Sequence, residues 1–201
     1  QPAAGDSGVA IGAAALMLGK IPPRLLETPF LGPGFAAGQI KEFLRTTKVD
    51  FSEPDDICDL AARALASGKV VGWFDGRMEF GPRALGGRSI LADPRRRSMH
   101  FRVNRIKTRE QWRPLAPSVI LERAAEFFSS GRRSPYMLIR DYARQDKAPR
   151  MPAIVHVDGS SRLQTVEPKI NGRYWKLLKA FEALTGLPMV LNTSFNSEKE
   201  P

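Results

Sequence analysis

A helical repeat of apolar residues is the first pattern along the chain. It predicts helices at 8–19, 38–49, 54–68, 95–107, 121–129 and 172–186. The clearest of these places Ile57, Leu60, Ala61 and Leu65 on one face behind an acidic start that suits a helix N-terminus. Cys58 falls on the same face and is the single cysteine. We therefore interpret it as a core residue and exclude disulfides and zinc clusters.

Short β-branched and apolar runs alternate with these helices. They predict strands at 69–74, 89–92, 116–120, 136–140, 153–157, 162–166 and 188–192. Such interleaving indicates an α/β domain with a twisted mixed sheet and flanking helices. Asp6 and Ser7 are candidate caps of the first helix, and Gly19 is its candidate stop. The Pro- and Gly-rich residues 20–38 sustain no period, so we expect a domain boundary within them.

Composition fits one ordinary domain with pieces of a neighbour. The chain has 201 residues, of which 42% are hydrophobic and 26% charged, enough for a buried core. No apolar run approaches the roughly 20 residues needed to cross a bilayer, and the first residues lack the pattern of a signal peptide. We expect a cytoplasmic protein with no membrane partner.

The positive charge is concentrated in one segment. The formal net charge is +10, and residues 77–113 hold ten Arg and one Lys against two Glu and one Asp. Arg outnumbers Lys by 21 to 10, and its planar fork binds phosphate or carboxylate through paired hydrogen bonds. Anion binding is therefore the first functional hypothesis.

The stretch "FDGRMEFGPRALGGRSILADPRRR" at 74–97 combines Arg with Gly and Pro turns. Glycines let main-chain N–H groups approach a ligand, and Pro82 stiffens the turn beside Arg83. A solvated surface loop is the simple alternative. Phe80 and Leu85 flank Arg83 and favour a side chain held in place.

Three further segments carry polar groups. In "KTREQWRPLAP" Arg113 lies between Trp112 and Pro114 and is expected to be held between them. "PMVLNTSFN" is an apolar run that ends in polar residues, and "HVDGSSRLQTVEP" is a strand, a turn and a second strand. Ligands of α/β sheets bind at the carboxyl ends of strands, although a polar turn and a plain hairpin explain these last two patterns equally well.

Other chemistry finds little support in the sequence. His100 and His156 have no metal-ligating partner at helical spacing and are interpreted as structural. There is no Walker loop, no GxSxG elbow and no paired His and Cys signal. What remains is chemistry that holds anions and stabilises charge, the mode suited to phosphoryl or nucleotidyl transfer.

Four blocks in this order resemble one family: "GRMEFGPRALGGRSILADPR", "NRIKTREQWRPLAPSV", "HVDGSSRLQTV" and "LNTSFN". They are similar to the C-terminal region of O-carbamoyltransferases of the nodulation and antibiotic-tailoring type. The opening "QPAAGDSGVAIGAAAL" resembles the end of their Kae1-like domain. The resemblance implies a Kae1-like remnant of actin-like ATPase fold at 1–20, a linker at 21–53 and a YrdC-like domain at 54–201 that is truncated at its C-terminus. We expect such a partial chain to be inactive alone.

The resemblance also implies an activity and its residues. The YrdC-like domain is expected to form carbamoyl adenylate from carbamoyl phosphate and ATP, and the Kae1-like domain to pass the carbamoyl group to a hydroxyl of a small-molecule acceptor. Arg83 and Arg113 would clamp phosphate groups and Arg162 the carbamoyl phosphate. Asn192 and Ser194 would hold the mixed anhydride. Lys107 and Arg109 are implied as helpers.

Metal ions are a separate expectation. Mg²⁺ would accompany ATP, with Glu79 and Asp93 as weak candidate ligands. Asp6 resembles a carboxylate of the metal site in the Kae1-like domain, whose other ligands lie outside this sequence. Trp112 and Leu115 stand where we expect Phe in the family.

Two other classes of function compete with the enzyme. A basic RNA-binding module of YrdC-like fold would explain a pI near 10.2. Against it, Gly and Pro turns separate the Arg residues, where base-stacking aromatics would be expected. An inert interaction domain would bind neither ATP nor RNA.

Overall fold

Residues 2–21 and 27–196 are described by the computed structural model. The helices among them are α1 (Val9–Leu18), α2 (Ala37–Thr46), α3 (Ile57–Ala66), α4 (Arg97–Ile106), α5 (Ala124–Phe127) and α6 (Gly172–Thr185). The strands are β1 (Val71–Phe74), β2 (Arg88–Ala92), β3 (Ala116–Ile120), β4 (Arg140–Tyr142), β5 (Ser160–Arg162), β6 (Gln164–Val166) and β7 (Met189–Ser194).

Five of the strands form one mixed sheet in the order β1-β2-β7-β3-β6. The β3–β6 pair is parallel, and the other three pairs are antiparallel. Strands β4 and β5 form a separate antiparallel pair. The predicted α/β class with a mixed sheet and flanking helices is confirmed. The last strand in sequence, β7, lies at the centre of the sheet, with Asn192 opposite Leu91 on one side and Ala116 on the other.

Helices α3 and α6 pack against each other, and α6 also contacts β3 and β7. Tyr174, Leu177 and Phe181 of α6 are fully buried, as is Leu65 of α3. Each such side chain contributes about 1.5–3 kcal/mol through burial. Cys58 belongs to this core, as predicted, and burial raises the pKa of its thiol.

Helix ends follow their capping residues. The Asp56 carboxylate accepts hydrogen bonds from the backbone N–H groups of Cys58 (2.8 Å) and Asp59 (3.0 Å) at the start of α3. Gly19 ends α1 in the left-handed conformation, with φ 64°. The predicted caps of α1 are wrong: Asp6 and Ser7 lie in a short 3₁₀ turn, and no side chain caps the helix.

Two predicted strands are wrong. Residues 136–139 form a turn in which Met137 takes φ 54°, and 153–157 form a turn in which the Ile154 N–H donates to the Met151 carbonyl. Both segments contain buried apolar residues, a property that strands share with irregular chain inside a core. The run at 162–166 breaks at Leu163, which separates β5 from β6. The helix predicted at 121–129 is reduced to a 3₁₀ turn and the single turn of α5.

The N-terminal helices lie apart from the main core. Neither α1 nor α2 has a buried side chain, and Leu16 and Met17 of α1 are 83% and 87% exposed. The main apolar cluster starts at Cys58. In the part of the chain that is described, no helix combines the length and apolar character needed to cross a membrane.

Candidate anion-binding site

The loop between β1 and β2 is closed by a carboxylate. Glu79 Oε1 accepts hydrogen bonds from the backbone N–H groups of Leu85 (2.7 Å), Gly87 (2.7 Å) and Arg88 (3.2 Å). Three donors on one oxygen bring the loop back on itself around Arg83. The position of Arg83 is therefore set by backbone geometry.

A glycine lets this loop lie directly on the core. Gly86 takes φ 99°, and a Cβ built on it would be 2.3 Å from the Tyr174 ring. The Gly86 carbonyl accepts hydrogen bonds from Trp73 Nε1 (3.0 Å) and Asn171 Nδ2 (3.3 Å). The loop is thus anchored on α6 and on β1.

A small cavity of about 90 Å³, called the inner pocket, lies behind this loop. Its polar lining consists of Arg83, Arg109, Arg162, Asn192, Thr193 and Ser194. These residues come from the β1–β2 loop, the segment after α4, the end of β5 and the end of β7. No carboxylate is among the residues that line the pocket.

Three buried polar atoms of these lining residues have no hydrogen-bond partner in the described structure. They are Arg83 Nε, Arg162 Nε and Asn192 Oδ1. Buried polar atoms are nearly always paired in folded proteins, because an unpaired one costs about 1–3 kcal/mol. Two unpaired donors and one unpaired acceptor beside one cavity indicate a ligand that offers both acceptors and a donor.

The electrostatics of the pocket favour an anion. Burial, reinforced by repulsion from Arg83 and Arg109, lowers the pKa of Arg162 to about 10. Burial and the nearby Arg113 also lower the pKa of Arg109, against the attraction of Glu110. Each guanidinium remains charged at neutral pH, so the cations are held together at a cost that a bound anion would remove.

A hydrogen-bond network beneath the pocket fixes Asn192. Its Nδ2 donates to the Ala84 carbonyl (2.9 Å) and to Ser118 Oγ (2.9 Å). Ser118 Oγ donates in turn to Gln164 Oε1 (2.6 Å), and Gln164 Nε2 donates to the Leu85 carbonyl (2.8 Å). Since its amide nitrogen is occupied, Asn192 can offer a ligand only its oxygen.

A larger depression of about 1580 Å³, called the outer cleft, adjoins the inner pocket. The two share the lining residues Pro82, Arg83, Ala84, Arg109 and Ser194. Arg105, Lys107 and Arg113 form a basic part of the cleft lining, and Phe35, Phe74, Met78 and Phe195 form an apolar part. The Arg88 guanidinium lies 3.5 Å from the centroid of the Phe74 ring and stabilises it by a cation–π contact.

The structure brings most of the predicted binding residues together. Arg83, Arg162, Asn192 and Ser194 line the inner pocket, and Arg109, expected only as a helper, joins them there. Strand β7 extends to Ser194, two residues beyond its predicted end at Asn192. Their roles in binding stay predictions.

Lys107 and Arg113 lie in the outer cleft in different settings. Lys107 is 6% exposed, and its amine donates to the carbonyls of Ser194 (2.8 Å) and Asn196 (2.6 Å), which fixes the end of β7. The side chain of Arg113 is 51% exposed and lies 3.6 Å from Glu110. The expectation that Trp112 holds Arg113 is wrong, because Trp112 is 78% exposed.

The candidate metal ligands Glu79, Asp93 and Asp6 are not gathered into one site in the described part of the chain. No group of three His, Cys, Asp or Glu side chains that could hold one occurs among them. Glu79 is engaged by the loop amides, and Asp93 accepts from the Arg95 backbone N–H (2.9 Å) and guanidinium (2.6 Å). Asp6 is exposed and lines neither cavity.

Both histidines have structural partners. His100 Nδ1 lies 3.2 Å from the Ala153 carbonyl, and its Nε2 lies 3.1 Å from the Gln111 carbonyl. The backbone N–H of His156 donates to the Ser160 carbonyl at 2.8 Å. The structural interpretation of the two residues agrees with these contacts.

Sequence reasoning missed the residues that support the site. Glu79 was considered only as a metal ligand, and Asn104, Ser118 and Gln164 were not considered at all. Asn104 could have been noticed in the sequence because it lies next to Val103 on the apolar face of α4. A polar residue in such a place needs a hydrogen-bond partner. Ser118 interrupts the apolar run of β3 in the same way, and Gln164 is a buried polar residue at the start of β6.

Comparisons with known proteins identify the family of the chain. A family model described as carbamoyltransferase C-terminus matches residues 62–201. Nodulation protein NolO of Bradyrhizobium diazoefficiens is 45% identical over 212 residues, which cover 100% of this chain and 39% of NolO. Nodulation protein U of Sinorhizobium fredii is 40% identical over 199 residues, which cover 97% of this chain and 34% of that protein.

A protein of Synechocystis that carries no assigned function is 43% identical over 234 residues, and the chain covers 38% of its length. The chain thus spans between about a third and two fifths of the relatives it matches. The family model covers more than half of the chain. The chain therefore belongs to the carbamoyltransferase C-terminus family.

Proposed function

We propose that the two adjoining cavities bind carbamoyl phosphate and ATP and convert them to carbamoyl adenylate. The observation that carries this proposal is the set of unpaired buried atoms on Arg83, Arg162 and Asn192 around the inner pocket. Family membership supports it, because the matching model describes the C-terminal part of carbamoyltransferases.

The inner pocket suits carbamoyl phosphate. The phosphate oxygens accept from the guanidinium groups, and the carbamoyl NH₂ group donates to Asn192 Oδ1. A carboxylate has no proton to donate and matches the lining less well. Inorganic phosphate as a dianion also offers acceptors and one donor, so family membership is what favours carbamoyl phosphate over it. At about 90 Å³ the pocket accepts a small ligand and excludes a nucleotide.

The outer cleft suits the nucleotide. Its basic residues can contact the triphosphate, and its aromatic residues offer a face for the purine. Arg83 and Arg109 line both cavities. They can therefore hold the two negatively charged substrates next to each other, which brings the reacting groups into contact.

The proposed reaction has two steps, hydrolysis and adenylation. Water cleaves the mixed anhydride of carbamoyl phosphate to carbamate and inorganic phosphate. A carbamate oxygen then attacks the α-phosphorus of ATP and pyrophosphate leaves with the bonding electron pair, which gives carbamoyl adenylate. The Arg side chains stabilise the charge that develops on the phosphate oxygens. Since carbamate decomposes in water, a small enclosed pocket protects it until attack.

In the full-length protein the carbamoyl group would then pass to a hydroxyl of a small-molecule acceptor, which releases AMP. We assign this transfer to the Kae1-like domain that the family resemblance implies. Mg²⁺ would accompany the ATP, and the described residues include no group of three His, Cys, Asp or Glu side chains that could hold it by themselves.

The test is pyrophosphate exchange in the full-length protein. Label from pyrophosphate should enter ATP only when carbamoyl phosphate is present, and Arg162→Ala should abolish the exchange. Exchange that is independent of carbamoyl phosphate would contradict the proposal. RNA titrated into the chain separates the competing function: tight binding with a steep salt dependence, not displaced by ATP, would favour the RNA-binding module.

A further inference from the structure

Asn104 is a buried amide whose acceptor atom faces an arginine of the inner pocket. It lies on α4, is 0% exposed, and accepts a hydrogen bond through Oδ1 from Arg109 Nε at 2.8 Å. Its backbone carbonyl accepts from the Arg109 N–H at 3.1 Å. Both the main chain and the side chain of Arg109 are therefore held by one residue.

The amide nitrogen of Asn104 bonds to the chain a few residues after Arg109. Nδ2 donates to the Arg113 carbonyl at 3.0 Å and lies 3.1 Å from His100 Nε2. One side chain of α4 thus holds the segment from Lys107 to Arg113 at two points, the Arg109 guanidinium and the Arg113 carbonyl. The segment carries Lys107, Arg109 and Arg113, three of the basic residues that line the two cavities.

This segment needs such a restraint. Thr108, the residue before Arg109, takes φ 48°, a left-handed conformation that is costly for a β-branched side chain. Without the bonds to Asn104 the turn would be free to relax, and the guanidinium would move with it. The bond to Asn104 uses only the Nε–H donor of the Arg109 guanidinium. In the described structure its two terminal nitrogens bond to no protein group, so they can donate to a ligand.

We propose that Asn104 is a positioning residue that directs the terminal nitrogens of Arg109 toward the ligand in the inner pocket. The inference deepens the proposed function and depends on the inner pocket being an anion site. Asn104 acts through Arg109 and does not itself line either cavity.

A double-mutant cycle on the full chain tests this. The four proteins are the unaltered chain, Asn104→Ala, Arg109→Ala and the double variant, and calorimetry measures their affinity for carbamoyl phosphate and for pyrophosphate. We expect Asn104→Ala to weaken binding about tenfold in the unaltered background, the scale of one charge-assisted hydrogen bond. In the Arg109→Ala background it should weaken binding less than about twofold, because the group it positions is gone.

Two further variants separate positioning from stability. Asn104→Asp keeps an acceptor for Arg109 Nε but places a negative charge beside the anion site and an oxygen against the Arg113 carbonyl, so it should weaken binding at least as much and lower the melting temperature. Ser130→Ala removes the hydrogen bond from Ser130 Oγ to Asp141 (2.7 Å), remote from both cavities. It should lower the melting temperature without changing affinity.

The outcomes distinguish the two proposals. Equal weakening by Asn104→Ala in both backgrounds, or none in either, overturns the positioning role and leaves the proposed function standing. Coupled loss of pyrophosphate affinity in a chain that does not bind carbamoyl phosphate supports the positioning role and contradicts the proposed function. A chain that binds neither probe overturns both.

Discussion

Replacing Arg162 with Met is expected to stabilise the ligand-free chain while abolishing carbamoyl phosphate binding. Burial, together with repulsion from Arg83 and Arg109, lowers the pKa of Arg162 from its ordinary value to about 10. Each unit of pKa corresponds to about 1.4 kcal/mol, so the charge costs the folded state about 3 kcal/mol before screening by solvent. Partial solvent access reduces the expected gain to about 1–2 kcal/mol.

The sign of this effect follows from linkage. Arg162 is charged in both the folded and the unfolded chain at pH 7, so the cost is constant through the neutral range. It falls only as the pH rises through about 10, where the folded form begins to lose its proton before the unfolded form does. The stabilisation by Arg162→Met is therefore expected to be independent of pH between about 6 and 8.

Urea denaturation and calorimetry measure the two effects. Arg140→Met is the matched control, because Arg140 is the cross-strand partner of Arg162 on β4 and its side chain is 60% exposed. It should change neither the free energy of unfolding nor the affinity by a measurable amount. A loss of stability in Arg162→Met, or carbamoyl phosphate binding that survives the substitution, would refute the reasoning.

Three further changes test the loop, the cations and the end of the sheet. Gly86→Ala should lower the free energy of unfolding by about 2–4 kcal/mol in urea, because its Cβ would overlap the Tyr174 ring. Arg83→Ala should weaken ATP or carbamoyl phosphate binding by about 1–3 kcal/mol in calorimetry, and the half-exposed Arg113→Ala by less than about 1 kcal/mol. Lys107→Met should destabilise the chain by about 1–3 kcal/mol and speed hydrogen exchange at the end of β7, with a smaller loss of affinity than Arg83→Ala.

Each of these expectations has its own control. Gly172→Ala is the match for Gly86→Ala, because a Cβ at Gly172 meets nothing within 4 Å. Equal losses in affinity from Arg83→Ala and Arg113→Ala would show that the outer cleft, and not the inner pocket, dominates binding. A Lys107→Met chain with unchanged exchange and lost affinity would assign Lys107 to the ligand instead of to β7.

The sheet could be predicted from the sequence where strands are regular. The strands at 69–74, 89–92, 116–120 and 188–192 were found because continuous apolar runs with turn residues at their ends are typical of buried strands. The runs at 136–140 and 153–157 have the same composition but form buried turns. Tertiary contacts decide between these outcomes, and a local pattern carries no record of them.

The cations of the site were also visible in the sequence, since Gly and Pro around an Arg indicate a fixed loop. Their convergence on one pocket rested on the family resemblance. The residues that support the site were missed because nothing in their local sequence distinguishes them from other polar residues of helices, strands and loops. Asn104 looks like any polar residue of a helix, and Glu79 like a metal ligand, until the backbone brings their partners within hydrogen-bond distance.

The central place of β7 has a consequence for how the protein forms. As the ribosome releases the chain, β1 with β2 and β3 with β6 can pair early, yet each pair keeps an open edge until Met189–Ser194 inserts between them. The same insertion delivers Asn192 and Ser194 to the pocket. The inner edges of β2 and β3 are therefore closed in the same event that completes the lining of the inner pocket, while β1 and β6 remain the outer edges of the finished sheet.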